Sequence, residues 1–193
     1  MLLALTALVH ADGTPALSPA TTAQQAGLVD VRQLAPDITE DIKYAGSDNF
    51  VGTPVDGYLA PKCLLLKSAA EALARVERDL RAQHRRLKLF DCYRPARAVK
   101  HFVRWAGNIS DQRTKAVHYP TLDKSALLGD YIAPISGHSR GAAVDVTLMQ
   151  CDAADTHCTP LDMGTDWRFS PARSRELVDA LMAARPAPGI ATS

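Results

Sequence analysis

Residues 135–148 read ISGHSRGAAVDVTL, and the rest of the chain is best read outward from them. Gly141 allows a tight backbone between His138, just before the turn, and Asp145, inside the otherwise apolar run AVDVTL. Residues 143–149 therefore read as a strand that carries a carboxylate. A charge in such a strand needs a partner, because burying it unpaired is costly. A metal ion is one such partner, since imidazole and carboxylate are common zinc ligands. Arg140 or backbone N–H groups are the other.

Upstream, Leu87, Leu89 and Phe90 alternate as a strand that ends in Asp91-Cys92-Tyr93-Arg94-Pro95. Arg94 at this strand-to-helix junction offers a rigid fork of donors suited to a carboxylate or a developing oxyanion. The alternative is a surface arginine that caps nearby carbonyls. Residues 65–83 form an amphipathic helix with Leu66, Ala69, Ala70, Leu73, Val76 and Leu80 on its apolar face. A second helix follows Pro95, with Ala98, Val99, Phe102, Val103 and Trp105 facing inward and Gly107 at its end. Residues 28–44 are extended with a turn at Ala35-Pro36-Asp37, residues 108–130 are irregular, and a last helix is expected over 171–184. Helices beside a few short, non-repeating strands indicate a small α+β domain with a central antiparallel sheet over residues 28–185, followed by an irregular tail at 186–193.

The 193 residues hold 22 Lys+Arg against 21 Asp+Glu, a net charge of +1, so no basic excess points to nucleic acid. Hydrophobic residues at 47% and charged residues at 22% supply a core and exclude a disordered chain. No run approaches the roughly 20 apolar residues of a membrane span. The apolar stretch MLLALTALVHA (1–11) and the small polar residues after it read as a signal-like segment and linker over 1–27, which places the protein in the periplasm or outside the cell. The four cysteines fit that compartment. Cys151 with Cys158 and Cys63 with Cys92 is one of three possible pairings, and buried free thiols are the alternative to all of them.

Taken together, S-x-H-x6-D and the Y-R-P loop resemble the zinc D-Ala-D-Ala dipeptidase family, the vancomycin-resistance type related to zinc D,D-carboxypeptidases. Further blocks carry the resemblance: Tyr44-Ala45 with Asp48-Asn49-Phe50, then Pro54-Val55-Asp56-Gly57-Tyr58, Arg97-Ala98-Val99, and Met163-Gly164-Thr165. The resemblance implies one Zn2+ held by His138 and Asp145, with zinc polarising a peptide carbonyl and activating water. It implies Arg94 as the catalytic group that steadies the oxyanion, and Ser136 and Tyr44 as contacts for the ends of a small D-amino-acid dipeptide. It also implies the family's α+β fold.

That family brings its general base and third ligand together in an E-W-x-H element, which this sequence does not contain. After Asp145 the only histidine is His157, between Cys151 and Cys158. The expectation is a truncated, weakly active D-alanyl-D-alanine dipeptidase of cell-wall metabolism. The alternative is a non-catalytic periplasmic relative that binds D-Ala-terminated peptides.

Overall fold

The structure is a computed structural model that describes residues 20, 22–129 and 131–162. The helix expected over 171–184, the Met163-Gly164-Thr165 turn and the 1–11 segment lie outside the described residues. Two small sheets and two long helices make up the frame. Strands β1 (Leu28–Asp30) and β3 (Leu64–Leu66) pair antiparallel. The second sheet has the order β2 (Thr39–Glu40), β4 (Arg85–Asp91), β5 (Asp145–Cys151), β6 (Cys158–Pro160). β4, β5 and β6 run antiparallel to their neighbours, but β2 is parallel to β4. The sheet is therefore mixed rather than purely antiparallel. The cause is the connection from β2 to β4, which crosses over through helix α1 (Lys67–Arg81).

Helix α1 buries Ala70, Ala74 and Glu77, a stripe at i, i+4 and i+7. Val76, expected on that face, is exposed. The buried face is instead centred on a charge. The Glu77 carboxylate accepts the Arg86 Nε proton at 2.6 Å and the Leu87 N–H at 2.8 Å. Arg81, one turn further along α1, adds a third donor at 3.3 Å. This satisfied carboxylate ties α1 to β4 beside their apolar contacts.

Helix α2 (Ala96–Gly107) starts at Pro95 and buries Ala98, Val99, Phe102, Trp105 and Ala106, close to the expected face. The 108–130 region is more ordered than its polarity suggests, with helix α3 (Lys115–His118) and a 3-10 turn at Lys124–Leu127. Lys124 is buried there; its ammonium donates to the Asp111 carbonyl at 2.7 Å and sits 3.8 Å from the Trp105 ring centroid.

Two apolar clusters result. One gathers Val31, Ile38, Leu65, Ala70, Leu87 and Leu89 around α1 and β4. The other is aromatic, with Phe50, Phe102, Trp105 and Tyr119 around α2. Tyr58 packs against both. All four cysteines are paired, Cys63 with Cys92 and Cys151 with Cys158, which selects one of the three connectivities. Among the described residues no helix is long and apolar enough to cross a membrane.

Candidate functional site

The site forms where the end of β4, the start of β5 and the turn before β5 converge. Residues 137–140 make one 3-10 turn, capped by Ser136, whose Oγ accepts the His138 N–H at 3.2 Å. Gly141 closes the turn at φ 70°, in the left-handed region. A Cβ there would lie 2.6 Å from Cδ2 of Leu28, so two demands call for glycine. The Gly141 carbonyl accepts the Leu66 N–H at 2.7 Å and docks the turn on the β1–β3 sheet. The His138 carbonyl accepts the N–H of Gly141 at 3.0 Å and of Arg94 at 3.3 Å. The two motif segments of the sequence are thus joined at one backbone oxygen.

β4 carries an irregularity in its pairing with β5. Leu89 lies opposite Val146, but Asp91 lies opposite Asp145, so Phe90 is the extra residue of a bulge. Asp91 points inward at the strand end. Asp91 is 1% exposed and accepts from Tyr58 Oη (2.6 Å), Cys92 N–H (2.9 Å), Arg94 Nε (3.1 Å) and Arg94 Nη2 (2.7 Å). Burial holds its pKa above the ordinary carboxylate value, against the pull of Arg94. The sequence reading did not single out Asp91 as a site residue. Its signal was present all the same: Leu87, Leu89 and Asp91 share one strand face at a spacing of two, and all three are buried.

The ring of His138 is held from behind. Nδ1 donates to the Cys92 carbonyl at 2.9 Å, which leaves the Nε2 lone pair facing Asp145 Oδ1 at 3.4 Å. Burial disfavours the imidazolium, but the Asp145 carboxylate outweighs it and the His138 pKa lies above its ordinary value. Asp145 is not buried as the sequence suggested; its side chain is 54% exposed, because β5 begins at the sheet margin. Its ion-pair partner is His138 and not Arg140.

Asp91, His138 and Asp145 offer ligand atoms within 4.8 Å of one another. Both Asp91 oxygens are already taken by four donors, and Asp91 lies on the Nδ1 side of the ring, 3.5 Å away. The pair open to a cation is His138 Nε2 with Asp145. A neutral imidazole oriented by a backbone carbonyl, next to a carboxylate with free lone pairs, fits zinc.

Arg94 reaches the other way. Its Nη1 donates to Ser136 Oγ at 3.3 Å, and its guanidinium carbon sits 5.3 Å from the Tyr44 ring centroid and 5.1 Å from that of Phe102. Arg94, Tyr44, Phe50, Tyr131, Ile132 and Ser136 line a cleft of about 330 Å3. Burial raises the Tyr44 pKa far above the ordinary phenol value, so its hydroxyl stays protonated. The five residues singled out in the sequence, Tyr44, Arg94, Ser136, His138 and Asp145, therefore form one contiguous group. His157 is not part of it. It pairs with Asp152 beyond the Cys151 end of β5, on the order of 20 Å along the strand from Asp145.

Residues 24–185 match the Peptidase_M15 family, D-ala-D-ala dipeptidase. The chain is 46% identical over 119 residues to a D-alanyl-D-alanine dipeptidase of Streptomyces coelicolor, covering 61% of this chain and 59% of that one. It is 33% identical over 156 residues to a D-alanyl-D-alanine dipeptidase of Enterococcus faecium, covering 80% and 75%. A third such protein, from Enterococcus faecalis, is 36% identical over 149 residues, covering 77% and 72%.

Proposed function

This chain belongs to the D-ala-D-ala dipeptidase family, and on that premise we propose that it acts on D-Ala-D-Ala, with one zinc ion held by His138 and Asp145. When bound there, zinc supplies Lewis acidity toward the peptide carbonyl and makes water more acidic. The residues of the chain do the rest. His138 offers Nε2 in a fixed orientation because the Cys92 carbonyl holds its other nitrogen. Asp145 supplies the anionic ligand from the margin of the sheet.

Arg94 has five N–H bonds and commits three of them, two to Asp91 and one to Ser136. The two that remain are free for an oxygen in the cleft that Arg94 lines, where a fixed positive charge stabilises a developing oxyanion. Tyr44 and Ser136 flank Arg94 and hold the ends of the dipeptide. The small aromatic cleft suits two methyl side chains. The single observation that carries this reading is the joining of Arg94 and His138 at one carbonyl, which puts the charge for the oxyanion beside the metal ligands.

A second reading rests on a specific feature of the sequence: none of the 193 residues forms an E-W-x-H element. Among the described residues the two ligands stand without a nearby general base, an arrangement that favours weak metal binding and slow hydrolysis. On this reading the chain binds D-Ala-terminated peptides without cleaving them. One experiment separates the two. The 193-residue polypeptide is titrated with zinc, then with D-Ala-D-Ala, and free D-alanine is measured. Release of D-alanine that depends on zinc supports hydrolysis. Dipeptide binding without release supports the second reading, and no binding at all sinks both.

We place the protein in the periplasm or outside the cell, supported by its two disulfides. Thiol labelling of protein taken directly from cells tests this. Four free thiols at isolation would contradict it.

A further inference from the structure

The loop that carries Tyr44 and Phe50 has almost no regular secondary structure to hold it. One 3-10 turn, Lys43–Ala45, is followed by turns as far as Thr53. At its centre lies Asn49, with no exposed surface. Its Nδ2 donates to the carbonyls of Lys43 (3.1 Å), Gly46 (2.7 Å) and Thr53 (3.1 Å). Its Oδ1 accepts the N–H groups of Val51 (2.9 Å) and Gly52 (3.1 Å). The amide orientation is unambiguous, since a flip would set an oxygen against three carbonyls. One side chain thus does for residues 43–53 what a ladder of backbone bonds does for a strand.

Both neighbours of this hub in the cleft depend on it. Tyr44 stands one residue after the Lys43 carbonyl that Asn49 holds, and Phe50 follows Asn49 directly. Their rings meet edge to face at 5.8 Å and both pack on Phe102, at 4.9 and 4.8 Å. Tyr44 in turn lies against the Arg94 guanidinium. A second tie fixes the loop from outside: Thr114 Oγ1 donates to the Phe50 carbonyl at 2.5 Å. Gly52, at φ 78°, leaves no room for a Cβ, which would lie 2.8 Å from the Thr114 methyl.

We propose that Asn49 is a positioning residue for the cleft, setting the Tyr44 ring against Arg94 and thereby the affinity for the dipeptide. This rests on the reading that the cleft binds D-Ala-D-Ala. Asn49→Asp is nearly isosteric, but it removes both donors and faces a carboxylate to three carbonyls. A purely structural role would lower stability and leave the folded cleft as it was.

The test reads two quantities on folded protein. The first is the Arg94 Nε–H resonance in a 15N spectrum, which senses the ring currents of Tyr44 and Phe102. The second is the dissociation constant for D-Ala-D-Ala. Asn49→Asp is expected to move the resonance and weaken binding about tenfold or more. Glu77→Gln, which weakens the buried network between α1 and the start of β4, away from the cleft, serves as a destabilised control and is expected to leave both unchanged. If Asn49→Asp does not fold, Thr114→Val loosens the same loop more gently and is expected to move the resonance in the same sense, with binding weakened about threefold.

An unmoved resonance with unchanged binding in the folded variant overturns the proposal. If wild-type protein does not bind the dipeptide, the functional reading fails separately, and the resonance alone still decides the role of Asn49.

Discussion

Asp91 and Asp145 stand directly opposite each other across β4 and β5, and the sheet treats them in opposite ways. Asp91 is turned inward and saturated by hydrogen bonds, whereas Asp145 stays open to solvent and to the His138 ring. Two carboxylates placed face to face ordinarily repel. Here the inner one is matched by the guanidinium of Arg94 and the outer one is left with free lone pairs. One cross-strand pair therefore supplies both an anchor and a ligand.

Replacing Asp91 with Asn removes the charge that holds Arg94 but keeps the shape of the side chain. The expected cost is about 3 kcal/mol of stability, because a guanidinium loses its buried partner. Dipeptide affinity is expected to fall as well, since Arg94 no longer has a fixed orientation. Chemical denaturation and calorimetric titration check both. Unchanged affinity in a folded Asp91→Asn protein would show that Arg94 needs no anchor.

Gly141→Ala is expected to destabilise the protein by about 1–3 kcal/mol, from the left-handed backbone and the clash with Leu28. Because the His138 carbonyl accepts from both Gly141 and Arg94, zinc affinity is expected to fall with it. A thermal melt together with a zinc titration tests this, and a melt equal to wild type would refute it.

Removing the Cys63–Cys92 disulfide, as the double serine variant, is expected to cost about 3–4 kcal/mol from loop entropy alone, given the 29-residue separation. Removing Cys151–Cys158, separated by 7, costs less, about 2 kcal/mol on the same account. Only the first is expected to weaken zinc binding, since the Cys92 carbonyl orients His138. Equal effects of the two on zinc would contradict this assignment.

Acid stability depends in part on two loop carboxylates. Bonds from the Thr156 backbone N–H and hydroxyl hold Asp152 at about 2, and the Arg113 guanidinium holds Asp111 at about 2. Both folded values lie below the ordinary Asp value of about 3.9. Their contribution is therefore complete above about pH 4 and lost as pH falls toward 2. Carboxyl 13C titration of the folded protein is expected to give midpoints near 2 for both. Midpoints near 4 would remove this source of acid sensitivity.

The two long helices were legible in the sequence because an apolar stripe at 3.6-residue spacing is a strong signal, and both ends came within about two residues. The five candidate site residues were picked out from ordered blocks of the sequence, and the structure brings them together. Two features were hidden for physical reasons. β2 is two residues long, too short for any periodicity to declare it, so its parallel pairing could not be foreseen. Asp91 was hidden by its charge: a residue read as polar takes an inward strand position because Cys92 and Arg94 beside it and Tyr58, 33 residues away, satisfy it, and the distant partner could not be foreseen. Val76 erred in the other direction, since Glu77 holds the buried face through Arg86.

Tyr58 belongs to both apolar clusters, and it also donates the bond that reaches Asp91. The site therefore sits where the two clusters meet. A molecule that grips the Arg94 bank and the His138 bank at once becomes a clasp across that junction. Its binding energy would be shared by residues backed by both clusters, so a bound ligand would add to the stability of the whole domain.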